Sequence, residues 1–465
     1  MLRKIGNGCV VLALAAVGFA PIPVSATTLQ QALAQAYQTS PSLLAARAAL
    51  RAQDESVAQA RAGLRPSASL SATAKSQFDL DNIEDSPADS FRASLDANLM
   101  LFDGGRTRDG INAAESSVLA ARANLAATEQ GVLLQTATAY LDVRRDHQFL
   151  SLAVGNLRLV EQQVQATQDR FAVGAVTRID VSLAEARLAA AKTSLAANSG
   201  GLALSKEIYR AVVGNLPTGL SAPPALPHLP GSLAEAESIA MREHPSIIAA
   251  RYMEKAAGYE LARARAGRAP TLGLGANITY LDAPGGFFGQ QQQSTSGSIS
   301  LNGTLPIYQG GALSSAMRAA AQNFASRSAN TQNMMRSVRQ ATASSWANIR
   351  VSEASIHAAR LQIKANEIVY AGMQEETRLG ARTMLDLLDA EQALLTSKSN
   401  LVKAHRDKYV AGLNLLSSMG LLTVENLKLG IPAYDPEINF NRVKNAPLST
   451  FSGGNVLDAI SDRWE

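Results

Sequence analysis

The chain has 465 residues, of which 46% are hydrophobic, 5% aromatic and 18% charged. This length exceeds that of one ordinary domain, and a mixture rich in alanine and leucine but poor in aromatic residues suits long helices better than a large globular core. The formal net charge is only +4. So small a charge gives no argument for nucleic acid as a partner.

The first 26 residues have the organisation of an export signal. Arg3 and Lys4 precede the apolar stretch 9–20, and residues 24–26 offer a small-residue cleavage site. A transmembrane anchor is the alternative, but the stretch is shorter than the roughly 20 residues that a spanning helix needs. Because the only cysteine, Cys9, lies in this stretch, the mature chain is expected to contain no cysteine.

An internal duplication is the strongest signal in the sequence. The segment SPSLLAAR (40–47) is echoed by HPSIIAAR (244–251), 204 residues later. The segment RFAVGAVTRIDV (170–181) is echoed by ETRLGARTMLDL (376–387), 206 residues later. Self-similarity at a fixed spacing indicates that one structural unit occurs twice.

The duplication divides the chain into four parts after the signal segment. We predict a first repeat over residues 27–216, a Pro-rich linker over 217–231, a second repeat over 232–424 and a C-terminal tail over 425–465. The linker assignment follows from its run of prolines and glycines, which mark loops.

Each repeat contains two segments in which apolar and polar residues alternate. We predict strands at about 64–78, 90–102, 270–281 and 296–308. Alternation over about ten residues is typical of transmembrane β-strands, although a sheet packed on a soluble core alternates in the same way. Four such segments in an exported chain favour the membrane interpretation.

Long helices follow each strand pair. We predict them at about 107–171, 178–213, 312–377 and 383–419, because apolar residues recur every seven positions over several heptads. That spacing indicates coiled-coil packing. The longest of these helices would measure roughly 100 Å at about 1.5 Å per residue.

Glycines punctuate the predicted elements. Gly104-Gly105 and Gly310-Gly311 lie between strand and helix, where glycine permits dihedral angles that other residues avoid. A phosphate-binding loop is the competing interpretation, but the chain has no GxxxxGK[ST] pattern around them.

Four strands are too few to close a membrane barrel, since spanning barrels begin at about eight strands. An open sheet would leave unpaired backbone groups in lipid. Transmembrane strands therefore require that protomers share one barrel. Two protomers would supply eight strands and three would supply twelve, and these arguments alone do not choose between them.

The export signal, the duplicated unit, the strand exit LFDGG (101–105) and the helix turn LGARTMLDLLDA (379–390) resemble the TolC-type outer membrane factors over residues 27–425. The resemblance implies a mainly α protein with membrane β-structure. It implies a homotrimer whose twelve-stranded β-barrel, embedded in outer membrane lipids, continues into a periplasmic α-helical barrel.

The resemblance also implies a function. Such proteins are exit ducts, not enzymes, and they bind no cofactor. They act with a periplasmic adaptor and an inner-membrane ABC or proton-driven transporter. We expect type I protein secretion, with multidrug or small-molecule efflux as the alternative.

Specific residues match the entrance of such ducts. The turns after Gly174 and Gly380 would form the periplasmic entrance, where Arg382 would bond to Asp180 and hold it closed. The alternative for this pair is an ordinary exposed ion pair worth less than about 1 kcal/mol. Thr377 departs from the family pattern, which has a tyrosine there, and this departure puts part of the closing network in doubt.

Asp386 and Asp389 match the paired aspartates that ring the entrance in the family. In a trimer they would place six carboxylates around one mouth, which would attract cations. The alternative is a solvated helix face.

Two other functional classes compete with the duct. A non-channel envelope coiled coil would lack the four alternating strands, and a periplasmic adaptor would carry one hairpin rather than a duplicated one. Catalysis and metal binding are not expected, because the five histidines are scattered and no HExxH pattern occurs.

Overall fold

The computed structural model describes residues 27–77, 88–284 and 291–444. The predicted export signal and residues 445–465 of the tail lie outside the described residues, as does most of the loop within each strand pair. The mainly helical fold with a small antiparallel sheet, expected from the sequence, is confirmed.

The elements repeat in the same order. The first repeat comprises α1 (Leu29–Thr39), α2 (Pro41–Ala62), β1 (Ser67–Gln77), β2 (Ala88–Phe102), α3 (Arg106–Ala172) and α4 (Arg178–Val213). The second comprises α5 (Leu233–Glu243), α6 (Pro245–Ala266), β3 (Thr271–Pro284), β4 (Gln291–Thr304), α7 (Ala312–Arg378) and α8 (Met384–Ser418). The short helix α9 (Glu437–Val443) lies in the tail.

Each repeat begins with two short helices where the sequence analysis specified one. The break between them falls at Ser40 in the first repeat and at His244 in the second. Both residues have extended backbone and precede a proline, and a proline disfavours helical dihedrals in the residue before it.

The long helices form two antiparallel hairpins, α3 with α4 and α7 with α8. At the other end of α3 and α7, the shorter helices α2 and α6 take over the packing, and α6 contacts both long helices. The heptad residues Val143 and Ile349 are buried, whereas Phe171 at the end of α3 is exposed. None of the helices in the described part of the chain combines the length and apolarity needed to cross a bilayer.

The four strands form one antiparallel sheet in the order β1-β2-β3-β4. Leu95 of β2 lies opposite Leu70 of β1 and Ile278 of β3, so apolar side chains share one face. The next row is polar, and there the Asn277 amide donates to the carboxylate of Asp96 at 2.6 Å. The alternation predicted from the sequence therefore separates an apolar face from a polar one.

The predicted end of the fourth strand is wrong. We predicted a strand to residue 308, but β4 ends at Thr304. Pro306 has no N–H to donate to a ladder, and β4 is an edge strand with no neighbour beyond it. Ile307, which continues the alternation, is 92% exposed.

The largest core lies where the short helices meet the middle of the long ones. Tyr140 of α3 is fully buried there, and its hydroxyl lies 2.9 Å from the carbonyl oxygens of Thr27 and Ser221. The tail packs on the same region, because the backbone N–H of Tyr434 donates to the Tyr37 hydroxyl at 3.1 Å. The linker and the described tail are thus fastened to the helices.

Candidate functional site at the hairpin tips

The two hairpins end in the same backbone turn. Gly174 follows α3 and Gly380 follows α7, with φ of 76° and 77°. The N–H of Ala175 bonds to the carbonyl of Arg170 at 2.9 Å, and Ala381 makes the matching bond in the second repeat. This is the Schellman end of a helix, which needs a left-handed residue and so favours glycine.

A capping box starts the return helix at both tips. The Asp180 carboxylate accepts hydrogen bonds from the Thr177 backbone N–H at 2.9 Å and hydroxyl at 2.7 Å. Asp386 accepts the same pair of bonds from Thr383, at 3.1 and 2.8 Å. Each aspartate therefore satisfies backbone groups that a helix start leaves unpaired.

These bonds also fix the charge of the two aspartates. The hydroxyl and N–H of Thr177 lower the pKa of Asp180, and those of Thr383 lower the pKa of Asp386. A lowered pKa means that the cap is at full strength above the ordinary aspartate pKa and is lost as the pH falls through the lowered one. Both carboxylates are therefore ionised at neutral pH.

Arg382 lies in the second tip and is bonded within it. Its Nε donates to the Glu376 carboxylate at 3.0 Å, and both side chains are about half exposed. The Asp180 carboxylate is held instead by Thr177. The bond between Arg382 and Asp180 is not among those formed within the described chain, and it stays a prediction for neighbouring protomers.

Thr377 lies close to Arg382 but is buried. Its side chain is only 8% exposed, and among the described residues its hydroxyl oxygen has no hydrogen-bond partner. A tyrosine at this position would extend well beyond the threonine hydroxyl. The departure from the family pattern thus removes the reach of that side chain.

The two aspartates of the predicted ring have different environments. Asp389 lies 2.7 Å from the guanidinium of Arg187 on α4, so a cation from the other hairpin offsets its charge. Asp386 is bonded to the hydroxyl and N–H of Thr383, which are neutral. Asp386 is therefore the stronger source of negative potential.

Sequence analysis missed Glu391. It lies on the same face of α8 as the buried Leu387 and Leu388, and its side chain is only 6% exposed. Its carboxylate accepts a hydrogen bond from the Gln163 amide on α3 at 2.9 Å. The helical spacing of three and four residues from the two leucines was the signal that could have revealed it.

The glycines at the strand exits all have left-handed backbone. Gly104 and Gly105 have φ of 68° and 90°, and Gly310 and Gly311 have 57° and 86°. A Cβ on Gly104 would collide with the Cβ of Ala269, whereas open space surrounds Gly310. In the described part of the chain, no cluster of three or more His, Cys, Asp or Glu side chains could hold a metal ion.

The same family model matches the chain twice. It describes an outer membrane efflux protein, and it covers residues 32–214 and again 238–421. The chain belongs to the outer membrane efflux protein family. The resemblance to TolC-type channels is confirmed, and the two matches fall within the two structural repeats.

Individual members of this family are similar along nearly the whole chain. The outer membrane efflux protein BepC of Brucella suis biovar 1 is 35% identical over 422 residues, which are 90% of this chain and 91% of BepC. TolC of Escherichia coli K12 is 26% identical over 462 residues, 95% and 90% of the two chains. The CmeC outer membrane channel of Campylobacter jejuni has the same fold, with a TM-score of 0.74 at 15% identity, covering 96% of this chain and 97% of CmeC.

Membership fixes the general setting of the hairpin tips. An outer membrane efflux protein is a channel in the outer membrane whose helical part extends into the periplasm, and it is not an enzyme. The sheet is the membrane end of this protein. The tips therefore lie at the far, periplasmic end of the helices.

We expect Arg382→Ser to raise the conductance of the resting channel in planar bilayers, because it removes a cation that holds the tip. If Arg382 acts through Asp180 of a neighbouring protomer, Asp180→Asn should raise it similarly and add little to Arg382→Ser. Glu376→Gln is the matched control, since it removes only the bond within the tip. An effect from Glu376→Gln alone would contradict the predicted partner.

Proposed function

We propose that this chain forms a trimeric duct through which an inner-membrane transporter and a periplasmic adaptor expel substrates from the cell. The observation that carries the proposal is the four-stranded sheet, whose edge strands β1 and β4 have no partner beyond them in the described chain. Unpaired strand edges are not viable in lipid. Another protomer must therefore complete the sheet.

The two repeats are equivalent in register, and this equivalence shows how the edges would meet. Leu70 lies opposite Leu95 in the first repeat. Leu274 and Leu301, 204 and 206 residues later, lie opposite each other in the second. The join between the repeats within one chain can therefore serve as a template for the join between chains.

Within the chain, β2 joins β3 with Leu95 opposite Ile278. Shifting these positions by the repeat offsets of 206 and 204 residues places Leu301 opposite Ala74 of the next protomer. The glycine junction supports this mapping. Gly104 packs against Ala269, so the open space at Gly310 corresponds to the place that Arg65 of the next protomer would occupy.

The size of the ring follows from the need for a passage. Two protomers would form an eight-stranded barrel, and the interior of such a barrel fills with side chains. Three protomers would form twelve strands with room for a channel. The polar face that bears Asp96 and Asn277 would then line the lumen, and the face that bears Leu70 and Ile299 would contact lipid.

We expect the double variant Leu301→Cys with Ala74→Cys to form disulfides between protomers in the outer membrane. Directly opposed residues in an antiparallel pair have Cα atoms about 4.5–5.5 Å apart, within the range for a disulfide. Non-reducing gels should show closed covalent trimers. The pair Leu95→Cys with Ile278→Cys is the positive control within one chain.

Leu301→Cys with Leu70→Cys tests the register, because Leu70 is four residues from Ala74 along β1. This pair should not cross-link. Purely monomeric bands from the first pair would sink the shared barrel, and efficient cross-linking of the second pair would sink the register.

The hairpin tips are the surface on which an adaptor would dock. Val173, Ile179 and Leu379 lie in or beside the two turns, and each is more than 70% exposed. Exposed apolar side chains gathered at one end of a protein favour a protein partner. The inner-membrane transporter would supply the energy, since a passive duct supplies none.

Two substrate classes remain for the proposal. Type I protein secretion was the expectation from the sequence, with efflux of small molecules as the alternative. BepC, 35% identical to this chain, is named an efflux protein, and this name favours the alternative. Both classes require the same duct.

A deletion strain tests the function and separates the two substrate classes. Loss of the gene should sensitise cells to detergents, bile salts or antibiotics if the duct serves efflux. It should deplete specific proteins from the culture medium if the duct serves secretion. The control is complementation by the intact gene, and a strain unchanged in both respects would contradict the proposed duct.

We expect the purified trimer to form cation-selective pores in planar bilayers, with Asp386 the main determinant. Asp386→Asn should reduce the preference for cations more than Asp389→Asn, because Arg187 already offsets the charge of Asp389. Reversal potentials in a salt gradient measure this preference. Equal effects of the two substitutions would contradict the assignment, and an unchanged preference in the double variant would remove the ring.

A further inference from the structure

A polar contact joins the two hairpins close to their tips. Gln163 lies on α3 of the first hairpin and Glu391 lies on α8 of the second. The Gln163 Nε2 atom donates to Glu391 Oε2 at 2.9 Å. Both residues are about two turns from the end of their helix at about 3.6 residues per turn, so this contact would have to change if the tips separated there.

The contact is incomplete on both sides. Glu391 Oε1 and Gln163 Oε1 are buried, and neither has a hydrogen-bond partner among the described residues. Two buried acceptors without a donor are costly. One proton on the carboxyl group would supply the missing donor, because a protonated carboxyl donates through O–H while its other oxygen still accepts from the amide.

We propose that Glu391 and Gln163 form a proton-controlled latch, which holds the hairpin tips together when Glu391 is protonated and loosens when Glu391 is ionised. In the closed latch the carboxyl donates to Gln163 Oε1 and accepts from Gln163 Nε2. The consequence for transport rests on the proposed duct, since the latch would restrain the periplasmic entrance.

The other groups around Glu391 are few. Arg187 on α4 is the cation that acts on the carboxyl, and its guanidinium is bonded to Asp389 at 2.7 Å. Tyr370 on α7 interacts with both Glu391 and Gln163 through its hydroxyl. Tyrosine stays neutral below about pH 10, and burial raises the pKa of Tyr370 further.

Burial raises the pKa of Glu391, and this outweighs the opposing effects of the Gln163 amide and Arg187. A raised pKa in the closed form means that the closed form is favoured fully below the ordinary glutamate pKa. This preference is lost as the pH rises through the raised value. Each unit of difference changes the ratio of closed to open latch by up to about tenfold.

The duplication provides a matched control. Glu185 on α4 occupies the position 206 residues before Glu391 and also accepts a hydrogen bond from a glutamine, Gln168, at 3.4 Å. Glu185 is exposed, and Gln168 belongs to the same hairpin. Replacing Glu185 therefore changes a similar pair that does not join the hairpins.

The test is the distance between the two tips as a function of pH. Ala175 and Ala381 are exposed and equivalent positions in the two turns. Spin labels on cysteines there, in trimers diluted with unlabelled protomers, report the distance by pulsed EPR without any requirement for transport. The capping aspartates remain ionised between pH 5 and pH 8, because their pKa values are lowered.

We expect a short, narrow distance distribution at pH 5 and a longer, broader one at pH 8. Glu391→Gln, which imitates the protonated acid, should give the short distribution at both pH values. Glu185→Gln should behave like the parent protein, and Gln163→Leu should give the long distribution at both.

The latch is overturned if Glu391→Gln retains the pH response or if Glu185→Gln abolishes it. A parent-like pH response in Gln163→Leu would also overturn it. These outcomes are independent of conductance. A protein that shows the pH response but forms no pores would disprove the duct and leave the latch standing.

Discussion

The structure depends on one constraint, which is that every backbone N–H and C=O of the sheet must find a partner where water is absent. One chain satisfies the groups between β1 and β4 and leaves the two outer edges open. The duplication answers this need economically, because the interface that joins the repeats can be used again between protomers. The helices inherit the same rotational order, since α3 and α7 continue directly from β2 and β4 through paired glycines.

The hairpin tips show how a repeated unit acquires asymmetry. Both tips keep the glycine turn and the threonine–aspartate cap. The second tip adds Asp389 and Glu391 on its inner helix, and both side chains reach residues of the first hairpin. The ordinary chemistry of helix ends is therefore shared, while the contacts between hairpins are specific to one copy.

Much of this fold could be predicted from sequence, because heptads, alternation and turn glycines are local signals. The helix predicted over 107–171 spans Arg106–Ala172, since a glycine marks each of its ends. The end of β4 was wrong because an edge strand depends on a neighbour that lies outside the chain. The partner of Arg382 and the burial of Glu391 could not be read from spacing in one helix, since they depend on how turns and hairpins pack.

The dual position of Asp386 has an evolutionary consequence. Its carboxylate caps a helix and also contributes charge to the tip, so a substitution that changes the charge also weakens the start of α8. Asp389 makes no cap, and the equivalent position of the first repeat is Leu183, which packs against the leucines of α8. Natural variation in the charge of this mouth should therefore accumulate at position 389 and its neighbours, while position 386 stays constrained by folding.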